Sequence, residues 1–367
     1  MSNTNVKMNR ELNIELLRII AMIMIIVHHF ELFAGNSNIG NLSLNSYIEI
    51  ALFSFGKLGV NIFVIISGYF LINSKFSTKK IFKLWMQILF YSVGIIGILK
   101  LLNIVDINLK EMLKYFLPIS YKKYWFASTY MYLYLMFPFL NRLAHSLQQK
   151  NYKVLLILLA IMFSGIYSVV YKSNSFQTGT GTFETLAWFV FLYLLAGYIR
   201  IYGIKFLENK NRTIIITIIL FIVFLTILFA SHFIHIKFNR LKNIITYYTR
   251  MNSIFFLLLA VTIFYVFKNI KINNSKIINF MGKNSFAVYL IHEHGAIRKP
   301  MWSFVNSIAT NYINEYIVIC MCVIGFFLIS GIIEPIRTLL EKNILKIKIF
   351  EKIFTKCDSL MDFEKAE

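Results

Sequence analysis

The sequence predicts an all-α, polytopic membrane helical bundle of about ten transmembrane helices, with both termini cytoplasmic. Three observations predict it. Hydrophobic residues make up 58% of the 367-residue chain and charged residues only 15%, a balance outside that of soluble domains. Apolar stretches of bilayer-spanning length, about 17 to 25 residues, recur from end to end. The formal charge of +21 is dispersed between those stretches, so positive-inside topology accounts for it and no nucleic-acid partner is implied.

Taken in order, spans are expected over residues 12–34, 48–73, 84–102, 125–142, 154–171, 183–201, 213–232, 251–267, 284–308 and 313–335. A cytoplasmic segment, 1–11, precedes this transmembrane domain, 12–335, and a basic amphipathic cytoplasmic tail, 336–367, follows it. The apolar run from Ile19 ends in HHFELF, which is no small-residue cleavage site, so the first span is expected to remain. Cytoplasmic loops collect Lys75, Lys79, Lys80 and Lys83, then Arg142 and Lys150, then Lys205 and Lys210, then Lys268 and Lys276. The outer loop at 172–182 holds only Lys172.

Two outer loops depart from this pattern, one with Lys110, Lys114, Lys122 and Lys123, the other with Lys237, Arg240, Lys242 and Arg250. Either they keep the surface solvated or they face an anionic partner such as phosphate-bearing glycans or lipids. Beyond Pro335, IRTLLEKNILKIKIFEKIF alternates basic and apolar residues. It is expected to lie on the inner membrane surface against anionic lipid. Cys320, Cys322 and Cys357 form neither a disulfide framework nor a metal-ligand spacing. No dinucleotide-binding, P-loop, zinc-protease or serine-hydrolase motif occurs.

The first span, Glu11 to Phe33, carries Glu15, Arg18, His28 and His29. Ionisable groups at membrane depth are costly, which makes them candidates for function. Arg18 and His29 are eleven residues apart and so share one helix face at a separation of about 16 Å. Glu15 lies near that face and, at i, i+3, can pair with Arg18. His28 points about 100° away from His29. The alternative is that Arg18 snorkels to headgroups and a histidine faces the interface.

The second span closes with Ser67, Gly68 and Tyr69, followed by Lys79, Lys80 and Lys83. This lysine cluster suits a phosphate-rich ligand, or it simply marks topology. The ninth span holds His292, Glu293, His294 and Arg298, a density that calls for mutual pairing or a water-filled cavity. His292 and His294 face opposite sides, a poor two-histidine metal site, so no metal is expected. His292, following the apolar run, takes the inner position. With Asp nearly absent, a carboxylate that orients a histidine would be Glu293, Glu184, Glu31 or Glu49. Tyr124, Trp125, Phe126 and Tyr130 read as an interfacial aromatic belt.

Together these features resemble acyltransferase family 3, bacterial membrane enzymes that acylate envelope polysaccharides and lipid-linked sugars. The matching residues are Glu15, Arg18 and His29 on the first span, Ser67-Gly68-Tyr69, the basic patch that follows, and GKNSFAVYLIH, Gly282 to His292. The patch here is lysine-only, where the family's is often rich in arginine. The resemblance implies a multi-pass enzyme of the bacterial cell membrane that moves an acyl group, expected to be acetyl, from cytoplasmic acyl-CoA to a hydroxyl of a cell-surface glycan or its lipid-linked precursor. Acetyl-CoA is then a donor substrate and not a resident cofactor. His29 would serve as general base or transient acyl carrier, with Arg18 and Glu15 as further catalytic residues nearer the cytoplasmic end of the same helix. Arg18, Ser67, Gly68, Tyr69, Lys80 and Lys83 would receive the donor, and His292 and Glu293 are further candidates. A transporter or flippase for a lipid-linked or polyanionic envelope substrate could use the same buried groups, although paired broken helices and half-to-half similarity are missing.

Overall fold

The computed structural model describes residues 11–34, 41–166, 183–239, 248–311 and 313–361. In chain order these form α1 (Leu12–Phe33), α2 (Leu44–Leu71), α3 (Thr78–Leu101), the short α4 (Leu109–Phe116), α5 (Trp125–Ser146) and α6 (Gln149–Ala160), which runs into a π turn at Ile161–Gly165. There follow α7 (Phe183–Ile201), α8 (Lys210–Phe238), α9 (Ile254–Lys268), α10 (Lys276–His292), α11 (Arg298–Asn311), α12 (Glu315–Leu345) and α13 (Lys348–Leu360). No strand occurs among the described residues. The expected segment 1–10, Lys172, Arg240, Lys242 and the tail beyond 361 lie outside the described residues.

Short polar residues start the helices. Ser43, Asn108, Asn209, Ser253 and Ser275 each accept a hydrogen bond from a backbone N–H in the first turn of α2, α4, α8, α9 and α10 respectively, satisfying donors that a helix cannot pair internally. Ser77 makes no such cap for α3. Asp358 of α13 does it instead, accepting from both N–H and Oγ1 of Thr78 at 2.6 Å. Phe350 and Phe354 of α13 pack on Phe82 of α3 at ring-centroid distances of 5.0 and 5.4 Å. The tail is thereby docked on the bundle, and α12 runs unbroken past Pro335 into it.

Among the described residues, α1, α2, α3, α7, α8 and α12 are long and apolar enough to cross a membrane, and α9 is a shorter apolar helix. The chain is a multi-pass, all-helical membrane protein. One expected element is corrected: the continuous span 284–308 is two helices, α10 and α11, with a break at residues 293–297. Gly295 in the break and Pro300 in the first turn of α11 are residues that end and start helices.

Helix α1 sits at the centre, packed chiefly on α2 and also on α10. Close approach to α2 depends on glycine. A Cβ on Gly59 would stand 2.7 Å from the Ala21 carbonyl oxygen, and one on Gly56 would strike the His28 side chain. Polar pairs tie the outer helices to this core. Asn61 donates to the Met251 carbonyl at 2.7 Å and accepts from Trp188 Nε1 at 2.9 Å. Asn141 donates to the Leu71 carbonyl at the end of α2 and accepts from Tyr193. Buried side-chain amides at membrane depth are stable only when satisfied in this way.

Gly59→Ala should therefore force α1 and α2 apart and cost about 1–3 kcal/mol, lowering the unfolding midpoint of the detergent-solubilised protein. Gly94→Ala meets nothing within 4 Å and should leave that midpoint unchanged or slightly raised. Equal effects at both positions would contradict the packing described.

Candidate functional site

The break after α10 places a run of polar groups against the middle and far end of α1. His292, wholly buried, directs Nδ1 at the Val288 carbonyl, 2.6 Å away. A carbonyl can only accept, so His292 Nδ1 carries the proton and, in the neutral ring, Nε2 carries a lone pair. That nitrogen lies 3.0 Å from His29 Nδ1, which must then be the donor. The remaining nitrogen of His29, Nε2, is left with its lone pair. A backbone carbonyl on α10 thus sets the tautomer of a histidine on α1 through one intervening ring.

His29 Nε2 faces Glu293 Oε1 at 3.5 Å. Glu293 is in turn held by Arg298, whose Nη1 lies 3.2 and 3.4 Å from its two oxygens and whose guanidinium stacks 4.7 Å over the Phe33 ring. A proton gained at His29 Nε2 would therefore sit beside a carboxylate that favours the imidazolium. Of the carboxylates expected to orient His29, Glu293 is the one at this position. It stands on the Nε2 side, while Nδ1 is held by His292.

These groups open on a cavity of about 440 Å³, within the range of small-molecule sites. Its wall is largely apolar and aromatic, with Met22, Ile25 and Phe33 from α1, Phe53, Val60 and Phe63 from α2, Trp125 and Phe126 from α5, and Phe286 and Tyr289 from α10. The polar lining is His28, His29, Lys57, Glu293 and Arg298. Two expectations are revised here. Tyr124 packs inside the protein, 1% exposed, and Trp125 and Phe126 form cavity wall in place of a lipid-facing belt. His28 packs on Phe53 and Gly56 as a neighbouring ring should, donating from Nδ1 to the Phe53 carbonyl, yet it lines the cavity as well.

His294 turns the other way, as the helical register predicts. Its Nε2 donates to the Ser92 carbonyl at 3.1 Å and its ring stacks on Tyr115 at 5.2 Å, which anchors the break to α3 and α4. In the loop before α5, Lys123 lies 4.1 Å over the same Tyr115 ring, and burial pulls its ammonium below the usual lysine range.

The remaining candidates gather toward the N-terminal end of α1. Arg18 donates to both oxygens of Glu15 at 3.0 and 3.1 Å. The Glu15 carboxylate packs where a side chain on Gly282 would be, which explains the glycine at the head of GKNSFAVYLIH. Ser67 donates to the Phe63 carbonyl and is bonded by Tyr130. Gly68 lets α2 press on Tyr193 and Ala196 of α7. Tyr69 accepts from Arg200 at 2.7 Å beneath that guanidinium. Lys83 pairs with Glu341 at 3.2 Å, whereas Lys80 is exposed at the start of α3. The structure thus brings His29, His292 and Glu293 together and sets Arg18, Glu15, Ser67 and Tyr69 at a different level. Lys57, a cation in the middle of the apolar α2, carries the same sequence signal as Arg18, whereas Arg200 stands exposed in the last turn of α7.

Residues 11–334 match the family model described as an acyltransferase domain, Acyl_transf_3. No curated protein and no solved structure matches the chain.

Selective ¹⁵N-histidine NMR should find both His29 and His292 protonated at Nδ1 in the neutral form. In His292→Phe the His29 signal should become a mixture of tautomers. An Nε2-protonated His29 in the unaltered protein would overturn the assignment.

Proposed function

Since the matched region covers most of the chain, the protein belongs to acyltransferase family 3 and is a membrane acyltransferase; we propose that it transfers an acetyl group from cytoplasmic acetyl-CoA to a hydroxyl of a cell-surface glycan or its lipid-linked precursor in a bacterial membrane. The observation that carries this reading is the His29 Nε2 lone pair, held by a fixed tautomer at the wall of a cavity. Family membership favours it over the transport reading.

In the proposed step, His29 Nε2 removes the proton from an acceptor hydroxyl as its oxygen attacks the thioester carbonyl. The tetrahedral intermediate collapses with cleavage of the C–S bond, and the imidazolium returns the proton to the departing CoA sulfur. The products are an O-acyl ester and free CoA. Glu293 stabilises the imidazolium between the two transfers, as a charge held beside it in a largely apolar cavity does strongly. Arg18, about 16 Å along the same helix, would hold an anionic portion of an extended donor, with Ser67 and Tyr130 bordering its path and Lys80 offering a phosphate contact at the start of α3. Arg18 is already aligned by Glu15, so its planar fork is presented in one orientation.

Purified protein supplied with labelled acetyl-CoA and a glycan acceptor should release CoA and label the acceptor. His29→Ala should lower that rate by roughly 10²–10⁴-fold, the usual contribution of a positioned base, at unchanged membrane abundance. Arg18→Lys should lower it about 10-fold, because a point charge replaces a planar fork. Full activity in His29→Ala would refute the assignment.

A further inference from the structure

Lys57 plays no part in the chemistry above, yet it lines the same cavity as His29. It belongs to α2, in the middle of an apolar span, where an ammonium group is costly without a counter-charge. Among the described residues, no carboxylate pairs with it. Glu293 is the carboxylate in the cavity wall, and it is engaged by Arg298. The lining therefore carries one cation in excess when the histidines are neutral. The other charge acting on Lys57 is that of Arg250, also a cation, so it supplies no counter-charge.

The location of Lys57 tells which substrate it faces. Gly56, its neighbour, packs directly on His28, which fixes Lys57 at the level of the histidine pair. Ser67 is ten residues farther along α2, about 15 Å away, on the side of Arg18. A donor whose anionic portion rests at Arg18 brings only its thioester to His29. A cation at the level of His29, away from Arg18, is left for the acceptor.

We propose that the acceptor carries an anionic group, a sugar carboxylate or phosphate, and that Lys57 is the residue that selects it. The inference rests on the acyl-transfer reading for the word acceptor, while the ligand chemistry rests on the cavity itself. The aromatic and aliphatic wall would bury the body of the ligand, and Lys57 would fix its charged group so that a hydroxyl reaches His29 Nε2.

The test is ligand binding without any acyl donor. The full-length protein in phosphatidylcholine nanodiscs is titrated with octyl β-D-glucoside, octyl β-D-glucuronide and octyl β-D-glucoside 6-phosphate, followed by tryptophan fluorescence, since Trp125 lines the cavity. At least one anionic probe should bind about 10-fold or more tightly than the neutral one, as a charge-assisted contact implies. The order of the two anionic probes distinguishes carboxylate from phosphate. Lys57→Gln should abolish that preference while leaving the neutral probe's affinity unchanged, and Lys57→Arg should retain it. Equal binding of all three probes by the unaltered protein, or an equal loss for all three in Lys57→Gln, would overturn the proposal. A protein that prefers the anionic probes but releases no CoA from acetyl-CoA would contradict the acyl-transfer reading and leave the ligand chemistry standing.

Discussion

The candidate site depends on one backbone carbonyl. Val288 lies one turn before His292 on α10, and its oxygen dictates which nitrogen of that ring bears hydrogen. The consequence passes to His29 on α1 through a 3.0 Å ring-to-ring bond. Helix geometry does the rest, because a carbonyl four residues back lies under its own side chain. Nothing in this relay needs water or a metal to fix the base. It needs α1 and α10 to keep their spacing, and the packing of Glu15 on Gly282 at the other end of the same contact holds that spacing.

Two opposed demands shape the bundle around this relay. Apolar burial at membrane depth favours helices with no polar groups, while a site for acyl transfer requires charges that bilayer depth penalises. The structure reconciles them by pairing: Arg18 with Glu15, Arg298 with Glu293, Arg337 with Glu334 and Glu341. Each pair keeps a cation and a carboxylate within one or two helical turns. Lys57 stands outside this scheme, and that is why its charge carries information about a ligand.

Much of the site was legible along α1. The eleven-residue register of Arg18 and His29 and the i, i+3 pairing of Glu15 are properties of a single helix, readable from spacing. The partnership of His29 with His292 was not, because it joins residues 263 positions apart, and no periodicity within one segment reports such a contact. The break between α10 and α11 was written in Gly295 and Pro300, but the apolar character on both sides masked it. Trp125 and Phe126 show a similar limit: aromatic residues at the start of a span look alike whether they meet lipid headgroups or close a cavity. Lys83 illustrates the limit in the other direction, since a lysine expected in a loop and suited to phosphate stands in α3 and faces Glu341 from α12.

The central claim is that His29 and His292 act as one unit, and a double-mutant cycle on the rate of CoA release tests it most directly. His29→Ala, His292→Phe and the double variant are compared with the unaltered protein, at equal amounts of folded enzyme. If His292 works only by setting the His29 tautomer, the double variant should be no slower than His29→Ala alone. Losses that multiply in the double variant would show that the two residues act independently and would contradict the relay.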